Sequence, residues 1–167
     1  MDLSNIDFQE AKLEDLKALE AIRVKAFKPI FESFRNILGN VIYETAQMPE
    51  DLAQENLLKS YFDRQSVWQT WKVILESQII GFIAIRHDER SRVGEIGLNA
   101  IDPDFSGKGI GTRIYNFAVD EMKRKGMKVA TVATGGDPSH LPARKAYRNA
   151  GFIVEIPSVW MCQELRQ

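Results

Sequence analysis

Along this chain the spacing of apolar positions switches between three-to-four and two, and the switches mark out its elements. Residues 6–11 read as a short strand, and residues 13–27 place Leu16, Leu19, Ile22 and Phe27 at helical spacing. Pro29 is expected to interrupt that helix. A short helical segment with Ile30, Phe34, Ile37 and Leu38 follows and stops at Gly39, and another covers about residues 50–62. From residue 67 the period becomes two. Trp71, Val73 and Leu75 alternate with polar partners, Glu76-Ser77-Gln78 makes a turn, and residues 79–86 continue as a strongly apolar strand, which together predict a hairpin. A charged turn over residues 88–92 leads to a third antiparallel strand over residues 93–101.

The helical period returns over residues 109–125, where Ile110, Ile114, Phe117, Ala118 and Met122 form one stripe. Gly126 ends it. A β-branched strand over residues 127–133, a Gly-Gly-Asp-Pro turn and a helix over residues 139–150 follow, with Pro142 tolerated in the first turn and Gly151 as terminator. Residues 152–165 are expected to form one or two strands broken at Pro157, with Cys162 and Trp160 in the core. The predicted fold class is α/β, a mixed and mostly antiparallel central sheet flanked by helices. With 167 residues, 44% hydrophobic, the chain suits one domain spanning residues 1–167.

Charge and cysteine content narrow the function classes. A net charge of −1 argues against a nucleic-acid partner, which usually demands a strongly basic face. Cys162, the single cysteine, can form no internal disulfide, and there is no Cys/His spacing suited to a metal. A reducing, cytoplasmic setting is the expectation. The first residues, Met-Asp-Leu-Ser-Asn, lack the basic head and apolar run of a leader, and no apolar stretch is long enough to span a bilayer, so no membrane association is expected.

The chemical signal lies in residues 101–113, Ile-Asp-Pro-Asp-Phe-Ser-Gly-Lys-Gly-Ile-Gly-Thr-Arg. Gly107, Gly109 and Gly111 alternate directly after an extended apolar segment and directly before an amphipathic helix. Glycine lets backbone approach a ligand closely, and a helix N-terminus presents unpaired N–H groups at its positive end, so the ligand should be an anion such as a phosphate. Two familiar cradles are excluded by spacing. A Walker loop needs a lysine after its last glycine, where Thr112 stands. A dinucleotide fingerprint needs a further glycine at position 112 or 114, which hold Thr112 and Ile114.

With these motifs the sequence resembles the GNAT superfamily of N-acetyltransferases. The family's pyrophosphate loop, Q/R-x-x-G-x-G/A, is matched by Ser106-Gly-Lys-Gly-Ile-Gly, with serine in place of Gln or Arg. Its later motif, N-x-x-A followed by Y and G-F, is matched by Ala143, Tyr147 and Gly151-Phe152, with His140 in place of Asn. The resemblance implies acetyl-CoA as co-substrate, with no metal. Its pyrophosphate would rest on backbone amides of Gly107, Lys108, Gly109, Ile110, Gly111 and Thr112, with Ser106 at the start of the cofactor loop and mobile cations at Lys108 and Arg113. Its pantetheine arm would bond the backbone of Asn99, Ala100 and Ile101, and His140 would take the place of the family's asparagine.

The resemblance also implies two catalytic groups. An amine with pKa near ~10 needs a base before it can attack a thioester. Glu95 holds the place of the family's base, and strict alternation would put it on one face with Gly97 and Asn99 unless a bulge intervenes. Tyr147 holds the place of the general acid that protonates the departing thiolate. Transfer is expected by direct attack in a ternary complex. The acceptor would be a small-molecule amine or a peptide, against a wall drawn from Phe31, Glu32, Phe34, Tyr43, Trp68 and Trp71, and a homodimer through the last strands is compatible with the family. The alternative is a non-catalytic acyl-CoA sensor or binding module. His87 is expected at the surface.

Overall fold

The computed structural model describes residues 5–165; the first four residues, on which part of the leader argument rests, lie outside that range. Five strands form one sheet in sequence order: β1 (Asp7–Glu10), β2 (Trp68–Leu75), β3 (Gln78–Asp88), β4 (Val93–Ile101) and β5 (Val129–Val132). The first three junctions are antiparallel, and only β4 and β5 run parallel. Helices α1 (Leu16–Ile42), α2 (Met48–Ser60), α3 (Ile110–Arg124) and α4 (Leu141–Asn149) cover the sheet. This is the expected mixed, mostly antiparallel α/β architecture.

Each face of the sheet has its own core. On one, Val73, Ile83, Ile85 and Ile96 meet Ile110, Ile114, Ala118 and Met122 of α3 and Tyr147 of α4. On the other, Phe82, Ala84 and Ala100 meet Leu19 and Ile22 of α1 and Leu58 of α2. The buried positions of α3 are the predicted stripe, with Tyr115 added and Phe117 at its margin. Turns at Glu76-Ser77, both with positive φ, and at Gly126 close the elements where the sequence places them.

Two expectations fail. Pro29 does not break α1, which runs on to Gly39, where φ 72° and ψ 167° leave the helix and put a kink in it. Proline removes one N–H and crowds the carbonyl four residues back, but Pro29 is exposed, so the carbonyl of Lys25 can turn to water while Ala26 and Phe27 stay packed. Residues 152–165 form no strand; Ile153, Val154, Ile156, Val159, Trp160 and Met161 are exposed, and so is Cys162. Pro157 cannot donate to a ladder. The stretch is tied back instead by an ion pair of Glu155 with Arg148 on α4.

Candidate active site

The glycine loop is shaped by what precedes it. Asp102, buried at the end of β4, accepts from the Asp104 N–H and starts a 3₁₀ turn over Pro103–Phe105. Gly107 and Gly109 then take φ of 74° and 79°, a left-handed conformation that costs a side-chain-bearing residue roughly 1 kcal/mol or more. Gly109 caps α3, and helix geometry leaves the N–H groups of Ile110, Gly111 and Thr112 without an intrahelical acceptor. Gly111 serves contact instead of conformation. A Cβ there would stand 3.3 Å from Ala146, so α3 and α4 close directly on one another.

These groups fit a pyrophosphate: the exposed residues Gly107, Lys108 and Gly109 lead into three N–H donors without an intrahelical acceptor at the positive end of a 15-residue helix, while the Ser106 N–H is already given to the Pro103 carbonyl at 3.0 Å. The side chains contribute less. The Lys108 ammonium donates to the Asp104 carbonyl at 3.1 Å and lies over the Phe105 ring, which ties it to its own loop. Lys25 on α1 donates to Asp102 at 3.0 Å and to Asp104 at 2.9 Å, joining α1 to the loop.

Beside the loop the sheet opens. Pairing of β4 with β5 stops at Ile96 and Val132, while β4 continues to Ile101. Residues 97–101 therefore have no strand partner on that side. A bulge sits at the same place: Ile85 faces Ile96 and Ile83 faces Asn99, so Gly97 and Leu98 together oppose Ala84. The bulge reverses the alternation. Glu95, in register with Arg86, shares the α1/α2 face with Leu98 and Ala100, whereas Asn99, in register with Ile83, turns to the α3/α4 face. The single face expected for Glu95, Gly97 and Asn99 does not exist.

Beneath the opening lies a cluster of three polar side chains. The Tyr115 and Tyr147 rings stack at 4.0 Å. Tyr115 donates to Asn99 Oδ1 at 2.9 Å, and Asn99 Nδ2 donates to Tyr147 Oη at 3.1 Å and to the Gly97 carbonyl at 2.9 Å. Burial raises the pKa of Tyr147 above the ordinary phenol value, against the hydrogen bonds from Tyr115 and Asn99, which favour the phenolate. Tyr115 is pushed well up, first by burial and then by the neighbouring Tyr147. Both are phenols at neutral pH.

On the opposite face, Glu95 is half-buried and ion-paired with Arg86. Arg86 lies 5.4 Å over the Trp68 ring, which stacks on Tyr61 at 5.0 Å. Burial raises the Tyr61 pKa, and the Glu95 charge raises it further. Of the aromatic wall anticipated from sequence, Trp68 stands beside Glu95 in this cluster. Trp71 does not belong to it: it packs against Phe117 on the α3/α4 face. Tyr43 is buried and bonded to Asp51, Phe31 lies against Phe27, and Glu32 is exposed.

His140 bonds within its own turn, with Nδ1 2.5 Å from Asp137 Oδ1, and its ring stands 5.8 Å from Phe34. Burial works to raise the Asp137 pKa, but hydrogen bonds from Ser139 and His140 outweigh it and hold the carboxyl low. His87 is half-buried with Nε2 unpartnered, not at the surface as expected. Sequence reasoning missed Tyr115 and Arg86. Tyr115 follows Gly111 by four residues on the buried face of α3, a signal that reads as packing until Asn99 is seen beside it.

The sequence profile described as the Acetyltransferase (GNAT) family matches residues 30–152. An uncharacterized N-acetyltransferase of Methanocaldococcus jannaschii is 33% identical over 88 residues, which are 49% of this chain and 38% of that protein. The match thus spans well under half the length of that curated relative. Among solved structures, the PaiA N-acetyltransferase of Thermoplasma acidophilum, crystallised with coenzyme A, superposes with a TM-score of 0.68 at 20% identity, over 92% of this chain and 93% of that one. An aminoglycoside acetyltransferase from an uncultured soil metagenomic sample, in complex with trehalose, superposes with a TM-score of 0.61 at 18% identity, covering 99% and 100% of the two chains. Among the described residues, no helix is long and apolar enough to cross a membrane.

Proposed function

Because the chain belongs to the GNAT acetyltransferase family, we propose that it moves an acetyl group from acetyl-CoA to a primary amine, acting as a single domain over residues 1–167. The observation that carries this reading is the opening between β4 and β5, with the glycine loop at one end, Tyr147 on one face and Glu95 on the other. The N–H groups of residues 107–112 hold the pyrophosphate, and the backbone of Asn99, Ala100 and Ile101, which has no strand partner on the β5 side, aligns the pantetheine arm. His140, bonded to Asp137, borders the cofactor side. When bound, acetyl-CoA supplies an acetyl thioester, the activated acyl donor.

Glu95 takes a proton from the acceptor ammonium, directly or through one water, and so frees the nitrogen lone pair. Nitrogen then bonds to the acetyl carbon as the carbon–sulfur bond breaks, and its second proton passes to water to leave the neutral amide. Tyr147, kept protonated at neutral pH by burial, donates its phenolic proton to the departing sulfur. With acid and base on opposite faces of the sheet, we place the reacting atoms at the opening, which begins just past Ile96 and joins the two faces. Trp68 and Arg86 flank the base and favour an acceptor that joins an apolar part to its amine, whether a small molecule or a peptide. The aminoglycoside enzyme of the same fold is consistent with an amine acceptor.

Thiol release from acetyl-CoA, measured with a panel of small amines, amino acids and peptides, tests the reading. Tyr147→Phe is expected to lower acceptor-dependent release about tenfold or more, about 1.4 kcal/mol of barrier. Coenzyme A binding without release from any acceptor would favour the acyl-CoA sensor. We also propose that two copies associate through residues 152–165, supported by the exposed apolar side chains of that stretch and the exposed Val129 of β5.

A further inference from the structure

Tyr115 has no part in the chemistry assigned above, yet its hydroxyl is buried beside the acid. The hydrogen-bond directions around Asn99 are fixed by one group. The Gly97 carbonyl can only accept, so the Asn99 nitrogen must face it, and Oδ1 must be the atom turned to Tyr115. An amide oxygen can only accept, so Tyr115 donates. The second Nδ2 proton points at Tyr147 Oη, which therefore accepts. The Asn99 amide thus takes no proton from Tyr147.

We propose that Tyr115 and Asn99 are positioning residues: Tyr115 locks the Asn99 amide, and the locked amide makes Tyr147 an acceptor on one side so that its proton is presented toward the opening. The proposal rests on the reading of Tyr147 as general acid. In the step itself the Tyr147 O–H bond breaks, the proton passes to the sulfur that leaves the acetyl carbon, and the phenolate that remains keeps the Asn99 N–H as donor. A proton from water restores the phenol. A freely rotating amide could turn Oδ1 to Tyr147 instead, and Oδ1 would draw the phenolic proton away from the sulfur. Gly97 and Tyr115, bonding opposite ends of the amide, prevent that rotation.

Two substitutions and two readouts test the proposal. Tyr115→Phe keeps the ring stacked on Tyr147 and removes only the hydroxyl. Asn99→Asp keeps an acceptor for Tyr115 but offers Tyr147 an acceptor in place of a donor. Relative to wild type, Tyr115→Phe should lower kcat for thiol release by about three- to tenfold and Asn99→Asp by more than about tenfold, with KM for acetyl-CoA within about twofold. In the protein without substrates, tyrosine labelled with carbon-13 at Cζ should show Tyr147 remaining a phenol to higher pH in both variants, because Asn99→Asp removes the donor that favours the phenolate and Tyr115→Phe unlocks it. Unchanged kcat and unchanged Tyr147 titration in a folded Tyr115→Phe protein overturn the proposal, whatever Asn99→Asp does to folding. Wild-type kcat in Tyr147→Phe overturns the acid reading instead, and the titration then decides separately whether Tyr115 and Asn99 orient the phenol.

Discussion

His87 carries a pH dependence that belongs to one residue. Burial of its ring, reinforced by the nearby charges of Lys125 and Arg124 and opposed by Glu121, lowers its pKa from 6.5. The folded state therefore binds this proton less readily than the unfolded chain does. The stability it contributes is complete above pH 6.5 and is lost as pH falls from there toward the lower folded value. The thermal midpoint should drop between about pH 7.5 and 5.5 in wild type and drop less in His87→Leu, as scanning calorimetry across that range would measure. At this scale the sequence was legible where a residue's job is set by its neighbours in the chain, as for Gly107 and Gly109, whose backbone angles require glycine. It was not legible where the job is set across the fold. Tyr115 and Asn99 are 16 positions apart, and nothing in the spelling of either says that they touch.

Among the elements, the β2–β3 hairpin turns on Glu76 and Ser77 at φ of 49° and 68°. Two positive φ values match the twist of a two-residue hairpin turn, but side chains other than Asn, Asp and Gly fit them poorly. Replacing Glu76-Ser77 with Asn-Gly should stabilise the protein by about 1 kcal/mol, read from the urea midpoint with the slope unchanged. The periodicity placed this hairpin, β4 and α3 within a few residues. It failed at Pro29 because proline's cost depends on which side of the helix the ring occupies, which the period alone does not fix. It failed at Asn99 because a bulge adds one residue without a residue type of its own. It failed over residues 152–165 because a pattern of apolar positions records what a segment could bury and not whether a strand lies beside it.

As a whole, the molecule is two cores back to back on one sheet, with chemistry assigned to the seam where the last strands part. Ion pairs of Lys25 with Asp102 and Asp104 fasten α1 to the start of the glycine loop. Among the described residues, the stretch 152–165 leaves a run of apolar side chains open to solvent, with Ile156 at 93% exposed. Covering it by a second copy should make the protein a dimer by light scattering at micromolar concentration, and Val154→Lys with Ile156→Lys should return a folded monomer. A monomeric wild type would rule the association out. The bulge in β4 has one more consequence, which concerns parity. Glu95 and Asn99 are four residues apart, an even number, and in a regular strand an even count means one side. Here the extra residue makes the even count mean opposite sides, so a related chain with the same spacing of four in a regular strand would keep both letters and lose the arrangement. What has to be inherited is therefore the irregularity as well as a pair of amino acids.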